Sequence, residues 1–81
     1  MAKVKNINTE APKWFRGMIY PRGMAVTNRF SGVTVELNNI ELSVYDFIMG
    51  IAYSGIHHKD FDRARYWFAE VNSDAYMELL D

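Results

Sequence analysis

Between Leu37 and Gly55 the apolar residues Ile40, Val44, Phe47, Ile48 and Ile51 recur at three- and four-residue spacing, with Tyr45 and Ala52 flanking the stripe. Glu41, Ser43 and Asp46 fall elsewhere on the wheel, so the period predicts an amphipathic helix with one broad apolar face. Its start is strongly marked. Asn38 is placed as N-cap and Glu41, three residues on, can reach back to the Asn38 N–H, a capping box that satisfies two donors of the first turn. Leu37 and Leu42 are spaced as a hydrophobic staple around that cap. Gly55 predicts a left-handed terminator. Gly50, which costs about 1 kcal/mol against alanine inside a helix, predicts close approach of another element.

Before this helix, Met24 to Leu37 alternates around Ser31-Gly32 and predicts a β-hairpin. A two-residue loop pairs Phe30 with Val33, Asn28 with Val35 and Val26 with Leu37. Those side chains share the face toward the helix, while Thr27, Arg29, Thr34 and Glu36 face away. Asn28 is the exception on the inner face, because a buried carboxamide needs a partner.

After the helix, Ile56-His57-His58-Lys59 is a short connection and Asp60 an expected N-cap for a second helix reaching about Val71. Phe61, Ala64, Phe68 and Val71 form its inward stripe with Trp67 beside it; Asp62, Arg63, Arg65 and Glu70 belong to the solvated side. Asn72-Ser73 interrupts, Ser73 is available as a cap, and the last turns bring Tyr76, Met77, Leu79 and Leu80 over the core. The expected core is Val33, Val35, Leu37, Val44, Phe47, Ile48, Ile51, Phe61, Phe68 and Leu80.

The fold class that follows is α+β: a β-hairpin, or a three-stranded antiparallel sheet if the preceding segment pairs as an edge strand, packed against a central helix, a second helix and a short C-terminal helix. Eighty-one residues make a single domain, 1–81, with an N-terminal arm over 1–22, the hairpin over 24–37 and a helical part over 38–81. A chain of this size buries only roughly 60% of its unfolded surface, and without cysteines no disulfide can compensate. The 49% hydrophobic and 15% aromatic content is rich for so small a chain, and the surplus suits a contact surface. No run approaches a membrane span and no apolar leader is evident, so a soluble, unprocessed protein is expected.

Net charge is −1, yet residues 1–29 hold six Lys or Arg against one Glu, and residues 30–81 hold three against nine Asp or Glu. Either the basic part folds back on the acidic part, or it reaches an acidic partner or nucleic acid. Met1 to Pro12 shows no sustained period and reads as an arm. Lys13 to Tyr20 reads as an edge strand or irregular chain, followed by a turn at Pro21-Arg22-Gly23. Trp14, Phe15, Arg16, Tyr20, Arg22, Arg29 and Phe30 interleave aromatics with arginines, as single-stranded nucleic acid binders do. No RNP-type consensus accompanies them. Aromatics closing a small core beneath snorkelling arginines is the plainer reading, and the same residue types favour protein interfaces. Trp14, Phe15, Arg16, Met18, Tyr20 and Arg22 are therefore the candidate protein-contact residues.

Catalytic motifs are missing: no cysteine nucleophile, Gly-rich phosphate loop, HExxH or GxSxG is present. No catalytic residue and no cofactor site is assigned. His57 and His58 with Asp60 make an incomplete zinc set, so no metal is assigned either. The last two helices are similar in topology to a helix-turn-helix, but Asp74, Glu78 and Asp81 have the wrong sign for phosphates.

Glu41-Leu42-Ser43, Tyr45-Asp46, Ile48 and Gly50, followed by Trp67-Phe68, Asn72, Ala75-Tyr76-Met77 and Leu79-Leu80-Asp81, resemble a pattern in small uncharacterised cyanophage proteins. The resemblance covers the C-terminal half, and Ala69-Glu70-Val71 departs from it in being less basic. It implies a viral setting, host cytoplasm or virion, and a non-enzymatic structural or accessory protein acting through protein–protein contacts. The partner expected is its own copies, a virion component or a host protein. The alternatives are a host-directed regulator of a cytoplasmic machine such as RNA polymerase, and a weak single-stranded nucleic acid binder.

Overall fold

The computed structural model describes residues 10–80; the first nine residues of the expected arm lie outside them. The fold is α+β, a two-stranded antiparallel sheet packed against three helices. Strands β1 (Met24–Thr27) and β2 (Thr34–Leu37) lead into α1 (Asn39–Ser54), α2 (Phe61–Val71) and α3 (Ser73–Leu79). Helix α1 packs on α2, α2 on α3, and β2 lies against α1 and α3. Residues 13–20 form no strand, so the sheet stays at two strands among the described residues.

The hairpin pairs Met24 with Leu37, Ala25 with Glu36, Val26 with Val35 and Thr27 with Thr34. This is two residues from the expected register. A shift of two preserves the faces: Val26, Val35 and Leu37 turn inward, and Thr27 and Thr34 share a 2.7 Å hydroxyl contact on the exposed side. The cause is Asn28, whose Oδ1 accepts the N–H groups of Phe30 (2.8 Å) and Ser31 (3.2 Å). That side-chain turn opens a longer loop, closed by the Gly32 N–H on the Asn28 carbonyl at 2.8 Å with Gly32 at φ +80. Phe30 and Val33, expected inside, therefore lie in the loop at 92% and 45% exposure. The Asn28 amide finds its partner in α3, donating to the Glu78 carbonyl at 2.6 Å, and Ser31 Oγ bonds Glu78 Oε2 at 2.6 Å.

Helix α1 starts on the expected capping box: Asn38 Oδ1 accepts the Glu41 N–H at 2.8 Å and Glu41 Oε1 accepts the Asn38 N–H at 3.0 Å. It ends at Gly55 in the left-handed region, φ 73. The burial differs from a simple stripe. Every residue from Ile40 to Val44 is buried, including Glu41 and Ser43, because the first turns of α1 are wrapped on all sides. Gly50 is exposed, and nothing lies near the place a Cβ would occupy, so no close approach explains it. The close approach occurs at Gly23, where a Cβ would collide with the Leu37 carbonyl oxygen and fall 2.7 Å from the Asn38 Cα.

The core gathers Phe15, Leu37, Leu42, Val44, Ile48, Ala64, Phe68 and Ala75. Val35, Phe47, Phe61 and Leu80 pack against it partly exposed, and Ile51 is half-buried. The cap of α3 is Asn72, whose Oδ1 accepts the Ala75 N–H at 3.2 Å; Ser73 is already in the helix. Asp60 precedes α2 but its side chain caps nothing. Met77, expected over the core, is 66% exposed.

Candidate protein-contact site

Residues 13–22 are irregular, yet three polar side chains of α1 hold them. Asn39, Ser43 and Asp46 stand at i, i+4 and i+7, which places them on one side of the helix. Asn39 Nδ2 donates to the Tyr20 carbonyl at 3.1 Å, Ser43 Oγ accepts the Tyr20 N–H at 2.9 Å, and the Tyr20 hydroxyl donates to Asp46 Oδ2 at 2.7 Å. Ser43 also donates to the Asn39 carbonyl at 2.7 Å, so this buried hydroxyl is fully used. The hydrogen bond to the Asp46 carboxylate, with lesser contributions from burial and from the carboxylate's charge, pushes the pKa of the Tyr20 hydroxyl above its ordinary value.

Upstream, a turn closes with the Phe15 N–H on the Pro12 carbonyl at 3.0 Å and points the Phe15 ring into the core. There it meets Phe47 edge-on at 5.4 Å. Gly17 lies directly over this ring and has no room for a side chain without displacing it. With Phe15 as anchor, Trp14 and Arg16 are left at the surface beside the start of α2.

Trp14, Arg16, Phe47, His58, Lys59, Asp60 and Arg63 line a cleft of about 360 Å³. The Arg63 guanidinium lies over the Trp14 ring, 5.4 Å from its centroid, and its Nε is 3.5 Å from Asp60 Oδ1. Stacking and pairing together hold the group in place. His58 is fixed from two sides: its ring meets Phe47 edge-on at 5.1 Å and its Nδ1 accepts the Asp60 N–H at 3.0 Å. In the neutral ring that bond leaves the proton on Nε2 as donor. Three cationic side chains thus face one carboxylate between aromatic walls.

Of the six candidate contact residues, Trp14 and Arg16 reach this cleft. Phe15, expected as a contact residue, is buried in the core; Tyr20 is tied to α1, and Met18 and Arg22 are exposed away from the cleft lining. Arg29 sits in the hairpin loop, so the aromatic and arginine residues of the N-terminal part do not form one track. The residues that complete the cleft, Phe47, His58, Lys59, Asp60 and Arg63, come from α1, the α1–α2 connection and the start of α2. The alternation of aromatics and arginines pointed to the first half of the site; nothing local pointed to Lys59 or Arg63.

Among the described residues no group of three or more His, Asp or Glu side chains is placed to hold a metal, and no helix is long and apolar enough to cross a membrane. Comparison with protein-family models, with curated proteins and with solved structures finds no match.

Proposed function

We propose that this is a small non-enzymatic binding protein acting through protein–protein contacts, with the cleft between Trp14 and Arg63 as its contact face. The observation that carries this reading is the burial of Phe15 under Gly17, which turns an irregular segment into a fixed mount for Trp14 and Arg16. An aromatic wall with stacked, pre-positioned guanidinium is the kind of surface on which binding energy concentrates. The viral setting, as a virion component or a host-directed regulator, rests on the resemblance in the C-terminal half. Mass spectrometry of purified virions separates those two roles, since a structural component is found there and a host-directed regulator is not.

The competing use of the same cleft is stacking and charge contact with single-stranded nucleic acid. Titration with a fluorescent single-stranded oligonucleotide tests it. Weak binding that Trp14→Ala leaves unchanged is the expected result. Binding that falls steeply with salt, with Trp14→Ala costing roughly 1–3 kcal/mol, overturns the protein-contact reading.

A further inference from the structure

We propose that the cleft takes the exposed face of α3 from a second copy of this chain, with Asp74 and Met77 as the groups received; this rests on the contact-face reading above. The structure separates charge into two surfaces, the cationic one drawing Arg16 from the basic part of the sequence and Lys59 and Arg63 from the acidic part. One is the cleft, where Arg16, Lys59 and Arg63 surround aromatic walls with a single carboxylate in reply. The other is α3, which carries Asp74 and Glu78 and no Lys or Arg. Asp74, Met77 and Glu78 stand at i, i+3 and i+4, one patch on the helix surface.

Within the molecule this patch has little to do. Asp74 is exposed and makes no ion pair among the described residues, and Met77 is exposed although a methionine amid Tyr76, Leu79 and Leu80 belongs with the core by composition. Glu78 is held by Ser31 through one oxygen, which steadies the helix against the hairpin loop. The patch therefore offers one free carboxylate beside a flexible thioether. The cleft offers what each needs. Lys59 makes no bond of its own among the described residues, and Arg63 uses only Nε, so its terminal nitrogens are available for a carboxylate. Trp14 and Phe47 supply ring edges and faces on which a methionine sulfur packs favourably. An acidic helix bearing one apolar side chain is thus the complement of a cationic cleft with aromatic walls.

Because the two surfaces differ, copies join either as a reciprocal pair or head to tail, closing a ring or extending a chain. A short helix in a small cleft makes a small interface, so association is weak and steered by charge.

Light scattering of the whole protein across a concentration series, at low and high salt, reads this directly. The expected result is a mass that rises with concentration at low salt and returns to that of the monomer at high salt. Lys59→Glu and Asp74→Lys, both at exposed positions, each weaken association by about tenfold or more. Mixing the two variants restores it, because one supplies an intact cleft and the other an intact helix. Glu36→Lys, on the outer face of the hairpin, changes the charge equally and has no effect. Thermal melting of each variant confirms that it is folded.

A protein that stays monomeric at every concentration, or single reversals that associate as well as the parent, overturns the second-copy proposal. A fluorescent peptide of alternating glutamate and leucine separates that failure from failure of the contact face. If the monomer binds this peptide and Lys59→Glu abolishes binding, the contact face stands and its partner is a foreign acidic segment. If it binds single-stranded oligonucleotide instead, both readings fall.

Discussion

Asn72 Nδ2 donates to Glu41 Oε2 at 3.3 Å, joining the N-terminal caps of two helices. Glu41 closes the capping box of α1 with its other oxygen, and Asn72 caps α3 with its carbonyl. A carboxylate buried this deeply is tolerated because both oxygens accept bonds. The pair ties the start of the central helix to the junction of α2 and α3, so the three helices are positioned by one polar contact inside an apolar core.

Removing Asn72 leaves one oxygen of the buried Glu41 unsatisfied, and removing Glu41 strips α1 of its capping box and the half-buried Asn72 amide of its partner. Glu41→Ala is expected to destabilise the fold by about 1–3 kcal/mol. Asn72→Ala acts in the same direction. A double-mutant cycle by urea denaturation should show a coupling of about 0.5 kcal/mol or more between them, and strict additivity would mean that the two caps work independently.

Tyr20 makes stability depend on alkaline pH. Its folded-state pKa is raised above the ordinary value of 10.0, first by the bond to Asp46. A raised tyrosine contributes stability that is complete below the unfolded value and is lost as pH rises through the folded one. Tyr45 is raised as well, chiefly by burial and then by the charges of Tyr53 and Asp46, and adds to the same loss. Urea midpoints followed from about pH 8 to about pH 11 should therefore fall, and fall less for Tyr20→Phe. An equal decline in both proteins would show that the Tyr20–Asp46 bond contributes nothing to the dependence.

Two phenylalanines should behave oppositely. Phe68 is wholly buried, so Phe68→Ala is expected to cost about 3–5 kcal/mol, a large share of the stability of so small a domain. Phe30 stands exposed at the tip of the hairpin, and Phe30→Ala should leave the melting temperature unchanged. Calorimetry of the two variants checks both the core and the observed register, since the expected pairing would have placed Phe30 on the inner face.

The glycines divide in the same way. Gly50 lies in α1 with open space around it, so Gly50→Ala should stabilise the protein by about 0.5–1 kcal/mol through helix propensity. Gly23 crosses the junction of β2 and α1 against backbone that cannot step aside, and Gly23→Ala should destabilise by about 1–3 kcal/mol. Thermal melts with the two shifts reversed would contradict the placement of both.

Local chemistry was enough to write the skeleton from the residues alone. The capping box of Asn38 and Glu41, the left-handed Gly55, the hairpin around Gly32 and the stripe through Ala64 and Phe68 each depend on neighbours within a few positions, and a periodic pattern survives in any tertiary setting. What the pattern does not carry is which polar residue is taken inside. Glu41 and Ser43 fall off the apolar stripe yet are buried, and their partners, Asn72 and Tyr20, are more than twenty residues away in the chain. Asn28 was visible as an anomaly, but its bond to the Glu78 carbonyl, which spans fifty residues, could be set only by the docking of α3. The cleft depended on tertiary structure most of all. Its arginines and lysine are ordinary surface residues in the sequence, and only the burial of Phe15 against Phe47 brings Trp14 under Arg63, because stacking and charge act across space without regard to position in the chain.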